Sequence, residues 1–305
     1  MNDIYAQLGQ QLPSLFSEPC LHWQQMASSR NIVFKVRIPE GFRIVKFYPQ
    51  EKKRHMLAEY QAISSGDFPL RSCPILRDAP LEASGQYFYA RAYNYLIGSQ
   101  VPGTQDSFFQ MGKALGLMHQ SWDFKQCPEW LPEVSVAELI EIPLSQLAKV
   151  CSKNDLLLPQ HYGKQVAEIL QKYRQPELLG VCHGDAHDKN ALLQKDGSIA
   201  FFDFEDVCWQ WPAYDLATCI WGSFRFDGEP LLWESLIEGY AAVDGIAEEQ
   251  LDLIPYLLFA RHLWWMGLYA ENWHKWNLPM QKSVFFAEQL ELLKDIAEQS
   301  CSLHN

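Results

Sequence analysis

The sequence contains no uninterrupted apolar run of roughly 18 residues, the length that a membrane-spanning helix needs. Residues 1–5 have neither the basic stretch nor the apolar stretch that is typical of a secretory signal peptide. Eight cysteines are present, but none forms a C-x-x-C pair, and no Cys/His set has the spacing of a zinc finger. These absences predict a cytoplasmic protein with reduced cysteines, no transmembrane segment and no structural zinc site.

Basic residues are also scarce, most of all in the last third of the chain. The sequence has 25 Lys and Arg against 37 Asp and Glu, which gives a formal net charge of −12. Residues 1–200 hold 20 side chains of each sign, whereas residues 201–305 hold 5 basic and 17 acidic ones. Nucleic acids and anionic membranes attract basic surfaces, so neither is expected as a partner.

The remaining composition is that of a folded protein with about two domains or lobes, since 305 residues carry 48% hydrophobic and 20% charged side chains. The first hundred residues indicate a β-rich lobe. Apolar and basic residues alternate over 32–38, a turn follows, and 42–48 is the predicted returning strand. A charged helix is predicted over 50–65, and further strands over 74–78 and 86–93.

Helical periodicity dominates after a Gly- and Pro-containing linker at 94–105. We predict helices over 136–150, 160–173, 230–242, 248–276 and 282–298. The predicted organisation is therefore an amino-terminal lobe over 1–93, a linker over 94–105 and a carboxy-terminal lobe over 106–305.

The polar segment 183–190, H-G-D-A-H-D-K-N, follows a strand-like apolar stretch and precedes a predicted hairpin with an Asp-Gly turn. The hairpin leads to Asp203, which has phenylalanines on both sides. A carboxylate in such surroundings is costly unless it is paired or binds a cation. Asp185, Asn190 and Asp203 offer the oxygen ligands that Mg²⁺ prefers, but they are too few for a complete coordination shell. We therefore expect substrate phosphates to supply the remaining ligands.

Three motifs in this order resemble the aminoglycoside phosphotransferase and choline kinase superfamily. They are H-G-D-x-H-x-x-N at 183–190, D-F-E-D at 203–206 and W-P-A-Y-D-L-A at 211–217. Within that superfamily the combination is most similar to the branch of type II homoserine kinases and the bacterial stress-response kinase A. The resemblance implies an α+β, bilobal protein-kinase-like fold and transfer of phosphate from ATP, with Mg²⁺, to an alcohol hydroxyl.

The resemblance also implies roles for single residues. Asp185 would orient the acceptor hydroxyl and take its proton, while Asn190 and Asp203 would hold Mg²⁺. Lys46 would neutralise the phosphates of ATP, as the third-strand lysine does in kinase-like folds. Glu59, thirteen residues later on the predicted helix, would pair with Lys46.

The nucleotide is expected to meet two further segments. The backbone of Ala92, Tyr93 and Asn94 would read the adenine ring. No G-x-G-x-x-G motif is present, and residues 28–31 take the place of the phosphate-binding loop. His183 and Asp215 would shape the catalytic loop rather than take part in the chemistry.

Tryptophan is concentrated in the acidic part of the chain, where eight of the eleven residues lie: Trp209, Trp211, Trp221, Trp233, Trp264, Trp265, Trp273 and Trp276. Trp faces and carboxylates together can hold an amine, although tryptophans at helical spacing also pack cores. Beside them the basic residues are Arg225, Arg261, Lys275, Lys282 and Lys294.

Three functions are consistent with these patterns. The first is a kinase for a small and amine-bearing alcohol. The second keeps the chemistry and makes Ser or Thr of a protein the acceptor. The third is a nucleotide-binding regulatory module without turnover, which the complete set of polar site residues disfavours. The sequence favours no particular acceptor and no particular oligomeric state.

Overall fold

The amino-terminal lobe of the computed structural model is built on an antiparallel sheet, as the alternating sequence predicts. The structure describes residues 2–26, 31–76, 79–224, 226, 229–244, 246–276 and 280–302. The elements of this lobe are α1 (Asn2–Gln11), β1 (His22–Met26), β2 (Ile32–Ile38), β3 (Gly41–Pro49), α2 (Lys53–Ser65), β4 (Ser72–Cys73), β5 (Leu81–Ala83) and β6 (Gln86–Asn94). The strand order is β1-β2-β3-β6-β4, and β5 pairs with the beginning of β6.

Side-chain alternation fixes which face of this sheet is buried. Phe34, Val36 and Ile38 on β2 enter the core of the lobe, whereas Lys35 and Arg37 do not. The helix α1, which was not predicted, packs against the same core. The predicted strand over 74–78 does not form at 74–76, where Pro74 lacks the N–H that a sheet partner needs. Residues 77 and 78 lie outside the described part of the chain.

The carboxy-terminal lobe is mainly helical. Its elements are β7 (Ser99–Gln100), α3 (Gln105–Ser121), α4 (Val136–Leu139), α5 (Glu141–Leu147), α6 (Leu157–Lys172), β8 (Gly180–Cys182), β9 (Ala191–Leu193), β10 (Ile199–Phe201), β11 (Cys208–Gln210), α7 (Ala213–Ser223), α8 (Glu229–Asp244), α9 (Glu248–Trp276) and α10 (Lys282–Ser302). Two small sheets, β10-β9-β7 and β11-β8, carry the loops that face the other lobe.

Two predicted segments differ from the structure. The helix predicted over 136–150 is interrupted at Ile140, because the ring of Pro143 would clash with the carbonyl of Leu139 in a continuous helix. The predicted linker is also shorter than 94–105. Its residues Ser99 and Gln100 pair with β9 and so belong to the second lobe, which leaves 95–98 as the connection.

The helix α2 belongs to both lobes. Ala58, Ala62 and Ile63 share one apolar cluster with α3 and α7, while the sheet and α1 enclose a second cluster. Among the described residues, no helix has the length and apolar composition to cross a membrane. The seven cysteines whose side chains are described are all free thiols.

Candidate active site

The loop between β8 and β9 is held by the buried carboxylate of Asp215, which lies at the start of α7. It accepts hydrogen bonds from the backbone N–H groups of His183 (2.7 Å) and Gly184 (2.9 Å) and lies 2.9 Å from Nε2 of His119. Gly184 has φ +81°, and a Cβ there would lie 2.0 Å from the carbonyl oxygen of Asp206. Asp215 thus fixes the shape of the loop, which is the role that the sequence predicts for it.

Asp185 is one of two buried acids in this loop, beside Asp188, and it orients Asn190. The Asn190 amide nitrogen donates to the Asp185 backbone carbonyl (3.0 Å) and to its Oδ2 (2.9 Å). Since both partners are acceptors, the Asn190 amide must point its N–H₂ group at Asp185 and its own carbonyl oxygen elsewhere. That oxygen is therefore available to a cation.

The hairpin of β9 and β10 brings Asp203 next to Asn190. The Phe202 N–H donates to the Asn190 carbonyl (2.9 Å), which continues the hairpin ladder to the residue before Asp203. Asp203 itself has a left-handed backbone (φ 66°, ψ 62°), a costly conformation for a residue with a Cβ. This turn leaves the Asp203 side chain 34% exposed, although phenylalanines flank it in the sequence.

Lys46 connects the two lobes through ion pairs. Its Nζ lies 2.8 Å from Oε1 of Glu59 and 2.5 Å from Oδ1 of Asp203. The hydroxyl of Tyr48 donates to the other Glu59 oxygen at 2.6 Å. Burial opposes the charged ammonium, but the carboxylates of Asp203 and Glu59 outweigh it and raise the pKa of Lys46 well above its usual range. The structure therefore brings together the lysine, the helix glutamate and the hairpin aspartate of the predicted site.

The adenine contact predicted at Ala92, Tyr93 and Asn94 falls on backbone groups that already have partners in the structure. Ala92 and Tyr93 lie inside β6, with β3 on one side and β4 on the other, so their backbone groups serve the sheet. Tyr93 instead turns its hydroxyl toward that of Tyr48, at 3.2 Å. Asn94 ends the strand, and its side-chain oxygen accepts from the Arg71 N–H at 2.6 Å. The Asn94 N–H also donates to the Arg71 carbonyl at 3.0 Å, so backbone that is open to a base is expected at 95–98.

The expected phosphate-binding loop lies mostly outside the described residues, which resume at Asn31. The buried side-chain amide of Asn31 donates to a carboxylate oxygen of Glu205, in the D-F-E-D motif. The end of that loop is thereby attached to the segment that carries Asp203.

Two site residues have no counterpart in the prediction. His119 on α3 supports Asp215. Arg261 on α9 reaches the site itself, since its Nη2 is hydrogen-bonded to Oδ1 of Asp185. The signal for Arg261 was one basic residue inside the apolar stretch 256–266 of a predicted helix, because a buried charge needs a partner.

Comparison with known protein families decides how this site is interpreted. A model of the phosphotransferase enzyme family matches residues 22–254, well over half of the chain. The chain belongs to the phosphotransferase enzyme family. An uncharacterised protein of Deinococcus radiodurans is 27% identical to this family member over 224 residues, which cover 71% of the chain and 65% of the relative. The chain thus spans slightly less than two thirds of that relative.

Solved structures agree with the assignment of this phosphotransferase family member at the level of the fold. An amicoumacin kinase in complex with AMP-PNP and Ca²⁺ has a TM-score of 0.80 at 18% identity, covering 95% of this chain and 93% of the other. A microcompartment-associated aminopropanol kinase has a TM-score of 0.73 at 17% identity, with 97% and 95% covered. A choline/ethanolamine kinase family protein from Mesorhizobium loti has a TM-score of 0.67 at 15% identity, with the same coverage.

Proposed function

We propose that the protein is a phosphotransferase that uses ATP and Mg²⁺ to phosphorylate an alcohol hydroxyl of a small molecule. The observation that carries this proposal is the arrangement of Lys46, Asp185, Asn190 and Asp203 in one site between the lobes. The fold neighbour in complex with AMP-PNP and Ca²⁺ supports the use of a nucleotide and a divalent metal.

The residues present fit a nucleotide with its metal. The Asn190 side-chain carbonyl oxygen and the partly exposed Asp203 carboxylate are hard oxygen donors, which is the kind of ligand that Mg²⁺ takes together with phosphates. Bound Mg²⁺ would neutralise the charge that develops on the phosphates. Lys46 would act on the same charge, and Glu59 keeps its ammonium in place. Residues 95–98 would receive the adenine.

Asp185 would hold the acceptor hydroxyl and accept its proton. The acceptor oxygen forms a bond to the γ-phosphorus of ATP, and the bond from that phosphorus to the bridging oxygen of ADP breaks. The proton released by the hydroxyl passes to the Asp185 carboxylate and from there to water. Such a reaction depends mainly on positioning and on charge neutralisation, and the site supplies both.

An amine-bearing alcohol is the acceptor class that we favour. Residues 201–305 carry the whole net negative charge, which would attract a cation. Two fold neighbours are named for amino alcohols, aminopropanol and choline/ethanolamine. Trp221 and Trp264 already have the guanidinium of Arg261 over their rings, so carboxylates rather than these two ring faces would bind the amine.

The test is transfer of labelled γ-phosphate from ATP to a panel of acceptors. The panel holds amino alcohols, homoserine, choline and aminoglycosides, and each amino alcohol is paired with the same alcohol lacking its amine. A Ser/Thr peptide mixture forms a separate arm. Label in an amino alcohol, lost in Asp185→Asn, supports the proposal. Label only in peptides would make the protein a Ser/Thr kinase, and ATP binding without transfer to any acceptor would make it a regulatory module.

A further inference from the structure

Arg261 is a fully buried cation whose partners belong to the catalytic loop. Its side chain is 2% exposed, so it has no access to an acceptor in solution. Nη2 donates to Oδ1 of Asp185, and Nη1 lies 3.5 Å from the carbonyl oxygen of Gly184. The Tyr214 hydroxyl is a further hydrogen-bond partner of the guanidinium. One side chain thus contacts both the backbone and the carboxylate of the loop.

The guanidinium is itself held on both sides by aromatic rings. It lies 4.9 Å from the ring centre of Trp221 and 4.8 Å from that of Trp264. Trp221 is fixed in turn, because its indole N–H donates to Nδ1 of His262 at 3.0 Å. The other His262 nitrogen lies 3.1 Å from the Gln289 carbonyl on α10. These contacts leave Arg261 little freedom to move away from the loop.

The two oxygens of Asp185 are thereby bound by different elements. Oδ2 accepts from Asn190 on the hairpin side, and Oδ1 accepts from Arg261 on α9. Two donors on separate oxygens define the plane of a carboxylate, which one donor would leave free to rotate. A buried ion pair is a poor way to stabilise a fold compared with apolar packing. Orientation of Asp185 accounts for the arrangement better than stability does.

We propose that Arg261 is a positioning residue, which holds the Asp185 carboxylate in the orientation that phosphoryl transfer requires. The inference rests on the proposed role of Asp185. It goes beyond the family resemblance, since the family match ends at residue 254 and does not include Arg261.

The first test compares Arg261→Met and Arg261→Lys with the wild-type enzyme. Loss of orientation should lower kcat by about 10²-fold in Arg261→Met, the effect of a misplacement of about 1 Å, while the Kd for ATP with Mg²⁺ stays near the wild-type value. Arg261→Lys should recover part of the loss, because its ammonium keeps the charge but cannot contact Gly184 and Asp185 together.

Arg174→Met is the matched control. Arg174 also stacks on a tryptophan, 5.4 Å from the ring centre of Trp211, and pairs with a carboxylate, that of Glu133 at 2.8 Å. It makes no contact with the catalytic loop in the described structure. Its substitution should lower the melting temperature without a selective loss of kcat.

A double-mutant cycle with Asp185→Asn separates positioning from stability. If Arg261 acts through Asp185, Arg261→Met should cost little more once Asp185 is Asn. If Arg261 acts independently of Asp185, the two losses should multiply to roughly 10⁴-fold or more. If Arg261→Met alone does not fold, the cycle is closed with Arg261→Lys and Arg261→Lys/Asp185→Asn instead.

Each outcome decides one question. A kcat loss confined to the Asp185 background, with partial recovery by Lys, supports the inference. Independent losses, or an Arg261→Lys variant no better than Arg261→Met at equal folded fraction, overturn it. Undiminished turnover in Asp185→Asn would instead reject the proposed role of Asp185, whatever the Arg261 variants do.

Discussion

At the scale of single residues, the site depends on charges that have been taken out of water in pairs. Lys46 is buried with Glu59, and Tyr48 supplies the second hydrogen bond to that carboxylate. A charged group in such a place is tolerated only while its partners are present. The same holds for Arg261 and Asp185. The consequence is that stability and activity can be separated by removing one charge or both.

Lys46→Met should lower both activity and stability. Without the ammonium, the buried Glu59 carboxylate keeps Tyr48 as its remaining donor, and removal of one partner of a buried pair costs about 3–5 kcal/mol. Lys46→Met/Glu59→Gln should regain much of the stability, because no unpaired charge is left, but none of the transfer activity. Urea unfolding and labelled-phosphate transfer measure the two properties. A double variant that is no more stable than Lys46→Met would contradict this explanation.

The sequence was informative for some site residues and not for others, for a physical reason. Asp185, Asn190 and Asp203 stand close together along the chain, around a polar loop and a hairpin whose turn could be predicted. Arg261 meets Asp185 across 76 residues, through the packing of α9 on α7, and no local pattern specifies such a contact. Only the cost of burying an arginine pointed to it.

At the scale of elements, the catalytic loop needs a glycine at one position. Gly184 has a left-handed φ of +81°, and a Cβ at this position would clash with the Asp206 carbonyl oxygen. Gly197 in the hairpin turn has a similar φ of +85°, but a Cβ there would meet no neighbouring atom. Gly184→Ala should therefore abolish transfer and destabilise the protein by more than Gly197→Ala, which bears only the backbone strain of about 1 kcal/mol. Thermal unfolding and kcat of the two variants give the comparison. Equal effects would show that the space at Gly184 is not limiting.

The buried His262 on α9 connects to Trp221 on α7 and Gln289 on α10, and this predicts a pH dependence of stability. Burial lowers the pKa of His262 from 6.5 to about 4. The unfolded chain therefore takes up the proton first as the pH falls, and stability that is complete above about pH 6.5 is lost towards pH 4. The loss should reach about 2 kcal/mol by pH 5.

The variant His262→Asn, which keeps an acceptor for Trp221, should flatten this dependence, while His161→Asn at an exposed position should not. Urea unfolding of the three proteins between pH 7 and 5 measures the slopes. The interpretation fails if wild type and His262→Asn lose stability in parallel.

The long elements were predicted best. The predicted bounds of β2 and α9 are those of the structure. Alternate residues of β2 are buried, whereas every residue of α9 over 256–263 is buried, so the length and apolar composition of α9 identify it rather than one apolar face. The short segments were less predictable. The helix α1 was not predicted, although Ile4, Leu8 and Leu12 recur at helical spacing. The bounds of the hinge depend on where the partner of a strand ends, and the sequence of one strand does not contain that information.

At the scale of the whole molecule, the charge distribution predicts how the acceptor is bound. The acidic last third should attract an amine-bearing acceptor over a distance that salt shortens to about 8 Å at physiological ionic strength. KM for the best amino alcohol should rise between low and high salt at saturating ATP, while KM for the same alcohol without its amine should stay constant. A KM that falls with salt, or a preference for an anionic acceptor, would contradict the hypothesis of a cationic acceptor.

The most direct measurement of the central claim is kcat of Asp185→Asn with the best acceptor, together with its Kd for ATP. Asparagine keeps the size of the side chain but can no longer take the acceptor's proton. A positioned acid–base group contributes about 10²–10⁴ in rate, so kcat per folded molecule should fall by that factor while ATP binding stays near its wild-type value. The melting temperature should fall as well, because the buried Arg261 loses its charged partner. Turnover at the wild-type rate, or ATP binding lost while the remaining turnover is unchanged, would contradict the assignment of this site as the place where phosphate is transferred.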